Sequence, residues 1–159
     1  MLKLSIYCDG SCRDNGYQNS TGGWGYFFLI HNNNDSNDTV ESCGKQVINT
    51  TNNKMELTAA IQGCIHALEY AKENNIEDWI CEVYTDSAYI HNCMTQKWYI
   101  NWQRNGWKNA KKEPVKNREL WEQLIPFFIN EHFKFLKVKG HNNNYWNEKA
   151  DKLARGLIE

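Results

Sequence analysis

Residues 2–10 read Leu2-Lys3-Leu4-Ser5-Ile6-Tyr7-Cys8-Asp9-Gly10. Leu2, Leu4, Ile6 and Cys8 alternate with Lys3, Ser5 and Tyr7, the period-two pattern of a strand with one face on a core. Asp9-Gly10 is a turn dipeptide. The strand is therefore expected to stop there, leaving a carboxylate at its carboxyl end. Working outward, residues 24–30 read as a second strand, 31–38 as an Asn- and Asp-rich loop, and 41–48 as a third strand closing an antiparallel meander. From Lys54 to Lys72 the apolar positions Leu57, Ile61, Cys64, Ile65, Leu68 and Ala71 keep a helical period. Residues 79–85 are a fourth strand, and a short helix follows from Ser87. A helix-rich basic segment runs to Pro114, and Arg118 to Phe128 resumes a helical pattern that Pro126 interrupts. Residues 133–138 are a fifth strand, and Glu148 to Leu157 a last helix. Three strands followed by mixed helices and strands predict an α/β fold with one mixed sheet and helices packed on it.

A chain of 159 residues with 41% hydrophobic and 23% charged residues is expected to form one domain over 1–159, with a core of its own. No apolar run is long enough to cross a bilayer, and the start of the chain has no signal-peptide layout, so a cytoplasmic protein is expected. The six cysteines include no C-x-x-C pair, so neither zinc nor a disulfide framework is expected.

The net charge of −1 conceals a local asymmetry. Residues 1–96 carry 5 basic and 12 acidic side chains, whereas residues 97–118 carry 7 basic and 1 acidic. Trp98, Trp102 and Trp107 are interleaved with Lys108, Lys111 and Lys112 in that second stretch. Cations mixed with aromatic faces suit a nucleic-acid surface. Trp98 and Trp102, four apart, share a helix face. The same residues would also serve as a solvated helix face over a tryptophan-rich core.

Four acids fall at element ends or on helices: Asp9, Glu56, Asp86 and Asp151. Each has a purely structural role open to it. Asp9-Gly10 makes a turn; Asn53-x-x-Glu56 fits a capping box with Glu56 at its third position; Asp86 could cap the following helix; Asp151 could be a surface acid. Taken together they suggest more. Asp9 and Asp86 would end adjacent strands, where open α/β sheets gather their chemistry, and a helix crossing the sheet would add Glu56. Clustered carboxylates cannot all ionise without a cation. Oxygen-only donors point to Mg²⁺, with Mn²⁺ able to replace it. Two such ions about 4 Å apart would stabilise the attacking and leaving oxygens of a phosphodiester displacement.

At these residues the sequence resembles type 1 ribonuclease H, the bacterial-type ribonuclease HI family. The matching motifs, in order, are Asp9-Gly10-Ser11-Cys12, Thr50 to Leu57, Tyr84-Thr85-Asp86-Ser87, and Lys139-Gly140-His141 through Asp151. Trp98-x-x-x-Trp102, Gly106-Trp107-Lys108 and Pro114 to Asn117 resemble the family's basic protrusion. The resemblance spans essentially the whole chain. It implies a ribonuclease H-like fold: a five-stranded mixed sheet, three antiparallel then two parallel strands, flanked by helices. It also implies an endonuclease cutting the RNA strand of RNA/DNA hybrids by attack of water, leaving 5′-phosphate and 3′-hydroxyl ends. By the same resemblance Asp9, Glu56, Asp86 and Asp151 hold Mg²⁺. His141, on a loop beside them, moves a proton or helps product phosphate leave, work suited to a group titrating near neutrality. Cys12, Asn15, Asn52, Asn53 and Glu56 meet RNA, whose 2′-hydroxyls distinguish it from DNA. Thr51 and Asn117 form a phosphate pocket, and Trp98, Trp102, Trp107, Lys108, Lys111 and Lys112 take the DNA strand. A monomer without a separate hybrid-binding domain is expected.

The chain departs from the family pattern in five places. The turn Asn15 to Gly23 is longer, Asn49 stands where many relatives have a basic residue, and Ala88 stands where some have an amide. Lys97 is an extra residue before Trp98, and Asn142 to Trp146 is bulkier. Two other readings are open: an exonuclease or transposase-like strand-transfer enzyme of the same fold, and a hybrid-binding module without catalysis. The first requires free ends or further DNA-binding parts. The second gains nothing from negative charge gathered against phosphates.

Overall fold

The computed structural model describes residues 1–13, 20–31, 38–138 and 145–158. Five strands run in chain order: β1 (Leu2–Arg13), β2 (Thr21–His31), β3 (Thr39–Ile48), β4 (Trp79–Thr85) and β5 (Phe133–Lys137). They form one sheet ordered β3-β2-β1-β4-β5. The β1–β2 and β2–β3 pairs are antiparallel, and the β1–β4 and β4–β5 pairs are parallel. Helices α1 (Asn52–Glu73), α2 (Ala88–Thr95), α3 (Trp98–Asn105), α4 (Arg118–Phe128) and α5 (Tyr145–Ala154) complete the fold. The mixed sheet read from the sequence is present.

The alternation in β1 divides the layers. Leu4, Ile6 and Cys8 are buried on one face among Leu57, Ile61 and Cys64 of α1, in a cluster that includes Trp121, Leu124 and Ile125 of α4. On the other face Phe27 and Leu29 of β2 pack with Ala150 and Leu153 of α5. At the end of this sheet Ser5 Oγ lies 2.7 Å from His31 Nε2, and His31 Nδ1 lies 2.9 Å from Asp38 Oδ2. Ser5 is 3% exposed, so this chain ties the base of the β2–β3 hairpin to β1 rather than presenting a nucleophile.

Several boundaries differ from the expectation. β1 does not stop at Asp9-Gly10 but continues against β2 to the Arg13–Thr21 pair, so Thr21-Gly22-Gly23 is strand, not turn. Only its parallel pairing with β4 ends early, at the Tyr7–Tyr84 pair. Gly10 serves close approach instead: a Cβ there would overlap the backbone of Met55 and Glu56. α1 is capped by Thr51, whose hydroxyl accepts the Lys54 N–H at 3.2 Å, not by Asn53. α2 is capped by Ser87, which accepts the Ile90 N–H at 3.2 Å. α4 runs through Pro126 without a break, with that residue on its exposed side. The basic segment is only half helical: after α3, residues 106–117 form turns with Trp107, Lys112 and Asn117 at positive φ. α5 begins and ends three residues earlier than expected.

Candidate active site

The topology gathers the acids. Asp9 lies two residues past the last β1–β4 pair and Asp86 one residue past β4, where the parallel pairing of the two strands runs out. Glu56 is in the second turn of α1, which the bare Gly10 lets descend onto β1. One carboxylate oxygen from each of Asp9, Glu56 and Asp86 lies within 4.8 Å of the others. Asp151, from α5 on the opposite layer, lines the same cleft. Its charge acts on Asp9, and its Oδ2 is 3.4 Å from Arg155 Nη1. The caps at Thr51 and Ser87 leave Glu56 and Asp86 free of the capping duties open to them in the sequence.

The electrostatics of this cluster are adverse. Asp9 is 5% exposed. Burial pushes its carboxyl far above the ordinary carboxylate range, and the charges of Glu56, Asp86 and Asp151 push it further. Burial first, and then Asp86, raise Glu56, while bonds from Asp9 and the Gly10 N–H pull it back. Asp86 is raised, chiefly by burial. The Gly10 N–H also donates to Asp9 Oδ1 at 2.9 Å. Glu56 Oε2 is buried and has no hydrogen-bond partner among the described residues. An orphaned buried carboxylate oxygen inside an all-oxygen donor set fits a hard divalent cation.

The cleft extends past Cys12, Asn52 and Asn53. Cys12 Sγ contacts the Thr50 and Arg13 carbonyls at 3.4 Å. Asn52 and Asn53, exposed in the first turn of α1, also border a second cleft of about 1050 Å³ with Thr51, Lys116, Asn117 and Arg118. The expected Thr51–Asn117 pair is thus brought together, and Lys54, Lys116 and Arg118 join it. The sequence marked that charge only through its basic count; Lys116 and Arg118 flank Asn117 directly. Trp98 and Trp102 stand 6.2 Å apart and Trp102 and Trp107 5.7 Å apart, centroid to centroid, with the Arg118 guanidinium 5.0 Å over Trp107. These tryptophans are half-buried against the core, so they serve packing and surface alike. Lys108 shares a groove with Trp98, Trp102 and Arg104, while Lys111 and Lys112 are exposed on the turn beyond. Tyr89, which the sequence did not single out, also lines the acidic cleft, beside Ser87 of the Tyr84–Ser87 motif. His141 and Asn15 lie outside the described residues.

A mixed sheet that brings together oxygen donors able to hold a cation, in a cleft that shares Asn52 and Asn53 with a second one lined by Lys54, Lys116 and Arg118, fits the class of metal-dependent nucleases with an α/β fold. The comparisons with known proteins make this particular. The RNase H family model matches residues 2–159, and the chain belongs to the RNase H family. It is 42% identical over 159 residues to a ribonuclease H of Clostridium botulinum, covering 100% of this chain and 97% of that protein. It is similar to the crystal structure of LC9-RNase H1, a type 1 RNase H with the type 2 active-site motif. There the TM-score is 0.76 at 26% identity, over 98% of this chain and 72% of the other. It shares its fold with LC11-RNase H1 in complex with RNA/DNA hybrid, at a TM-score of 0.58 and 18% identity, over 98% of this chain and 96% of the other. Among the described residues no helix is long and apolar enough to cross a membrane.

Proposed function

We propose that this chain is an endoribonuclease that hydrolyses the RNA strand of RNA/DNA hybrids with divalent metal, leaving 5′-phosphate and 3′-hydroxyl ends. The observation that carries the reading is the convergence of Asp9, Glu56 and Asp86 within 4.8 Å, in a cleft continuous with Asn52 and Asn53. Family membership and the hybrid held by a fold neighbour support it.

Asp9, Glu56 and Asp86 would hold the cation, with Asp151 beside Asp9. We assign Mg²⁺, with Mn²⁺ as substitute, because every donor is a hard oxygen. When bound, such ions acidify water and offset charge on phosphoryl oxygens. The chain's own groups do the rest. Cys12, Asn52, Asn53 and Glu56 line the acidic cleft and would meet the RNA strand, where amides and a carboxylate can exchange hydrogen bonds with 2′-hydroxyls. Thr51 and Asn117 take a phosphate of the DNA strand, with Lys116 and Arg118 supplying positive charge. Trp98, Trp102 and Trp107 offer faces to the DNA backbone, and Lys108, Lys111 and Lys112 attract it. His141 is assigned proton transfer or release of product phosphate, and Asn15 an RNA contact, both by family resemblance. By family resemblance we assign a monomer.

The test is a gel assay of a labelled RNA/DNA hybrid beside RNA/RNA and DNA/DNA duplexes, with Mg²⁺ or chelator, and with a closed circular hybrid. Cleavage of the RNA strand of linear and circular hybrids, only with metal, is expected. Cleavage from ends alone, or equal cutting of DNA/DNA, would overturn the reading. No cutting with Mg²⁺ or Mn²⁺ across pH would leave a hybrid-binding module instead.

A further inference from the structure

Asn52 and Asn53 border both the acidic cleft and the Thr51–Asn117 cleft, and a side chain that neither the motifs nor the charge pattern marks ties the first to Asn117 of the second. Tyr89 is the second residue of α2, three positions past Asp86, and it lines the acidic cleft. Its hydroxyl accepts two donors. Trp121 Nε1 donates to it at 3.0 Å and Asn117 Nδ2 at 3.5 Å. The Tyr89 and Trp121 rings lie 5.0 Å apart. Trp121 is 0% exposed, so its N–H has no water to turn to.

Asn117 needs outside support. It stands just before α4 in the left-handed region, at φ 62, and makes no side-chain cap bond to its helix. Its backbone carbonyl accepts from the Leu120 and Trp121 N–H groups, so the main chain is fixed while the amide is not. Of the hydrogen bonds described, the one from Nδ2 to Tyr89 orients that amide. With one N–H turned toward Tyr89, the amide oxygen and the other N–H are left for the cleft shared with Thr51, Lys116 and Arg118.

We propose that the Tyr89 hydroxyl is a positioning group. It aims the Asn117 amide and so sets the distance between the phosphate cleft and the Asp9–Glu56–Asp86 cluster. Two anchor points on one duplex must be held in fixed register for the scissile bond to fall at the acids. α2 begins two residues past Asp86, is capped by the intervening Ser87 and carries the group that orients Asn117, which makes it the link between them. The role rests on the assignment of the Thr51–Asn117 cleft to a substrate phosphate.

The test is Tyr89→Phe, which keeps the ring and deletes the acceptor, measured on the labelled RNA/DNA hybrid with Mg²⁺. A 5- to 10-fold rise in KM with kcat changed less than twofold is expected, the size of one missing hydrogen bond of about 1–1.5 kcal/mol. In an Asn117→Ala background the same substitution should leave KM unchanged within twofold, because the group it orients is gone. Trp121→Phe removes the other donor; it should lower the melting temperature and leave KM intact below it. An unchanged KM in Tyr89→Phe, or an equal rise with and without Asn117, would overturn the proposal. If Asn117→Ala alone left KM unchanged while the wild type cut hybrid normally, the phosphate assignment would fail and the proposal with it. Failure of the wild type to cut hybrid at all would instead overturn the proposed function.

Discussion

Replacing Asp9 by Asn is expected to stabilise the metal-free protein. Asn keeps an oxygen for the Gly10 N–H, now bonded at 2.9 Å, and its amide can donate toward Glu56 and Asp86. What disappears is a charge at a site 5% exposed, facing two other acids. Burial and those neighbours raise the folded-state pKa of Asp9 above its unfolded value. A carboxylate raised in this way costs stability that grows as pH climbs from the unfolded pKa toward the folded one. Holding a proton about four pH units too high would cost ~5 kcal/mol as a ceiling, at 1.36 kcal/mol per unit. Sharing among the coupled acids and an effective dielectric near 20 bring this to about 2 kcal/mol. For a chain of this size, that corresponds to a rise in melting temperature of roughly 4–8 °C at pH 8. The gain should shrink toward zero as pH approaches about 4, where the unfolded acid also holds its proton. Circular dichroism melts of both proteins in chelator from pH 4.5 to 8 measure this directly. A lower melting temperature for Asp9→Asn at pH 8, or a gain independent of pH, would refute the account of a repulsive acidic cluster.

Millimolar Mg²⁺ should raise the melting temperature of the wild type and leave Asp9→Asn nearly unmoved, a comparison readable in the same melts. Asp86→Asn should lower the cleavage rate more than 100-fold while hybrid affinity stays within a few-fold, checked by single-turnover assay and fluorescence anisotropy. Changing Lys108, Lys111 and Lys112 together to alanine should flatten the dependence of log affinity on log salt, by up to about 0.9 for each phosphate no longer neutralised; an unchanged slope places that turn off the substrate path. His31→Ala strands the buried Ser5 hydroxyl and should cost about 1–2 kcal/mol in urea unfolding. Cleavage measured well below the melting point should not change.

The fold was legible wherever one face of an element is buried. Leu4, Ile6 and Cys8 meet Leu57, Ile61 and Cys64 across a layer, so both periods stand out in the sequence. Misplaced boundaries came from residues with two uses. Asp9-Gly10 has the composition of a turn, yet Gly10 is there to admit the backbone of α1, and β1 continues because β2 pairs with it as far as Arg13. Thr51 and Asn53 are both good caps, and sequence alone does not separate them; Thr51 wins, which puts Glu56 two residues deeper in the helix and frees it for the cluster. The four acids were individually ambiguous because each also had a local role available. Parallel pairing of β1 with β4 and the crossing of α1 remove the ambiguity, since they bring three of the acids within 4.8 Å. Tyr89 escaped notice because its part depends on a single hydroxyl meeting Trp121 and Asn117, an arrangement that leaves no periodic trace.

The most direct measurement of the central claim is titration of Mn²⁺ into the metal-free protein, followed by electron paramagnetic resonance, for the wild type, Asp9→Asn, Glu56→Gln and Asp86→Asn. Saturable binding by the wild type, weakened at least tenfold in each variant, is expected if these three side chains share one cation site. Binding of equal strength in all four proteins would contradict it.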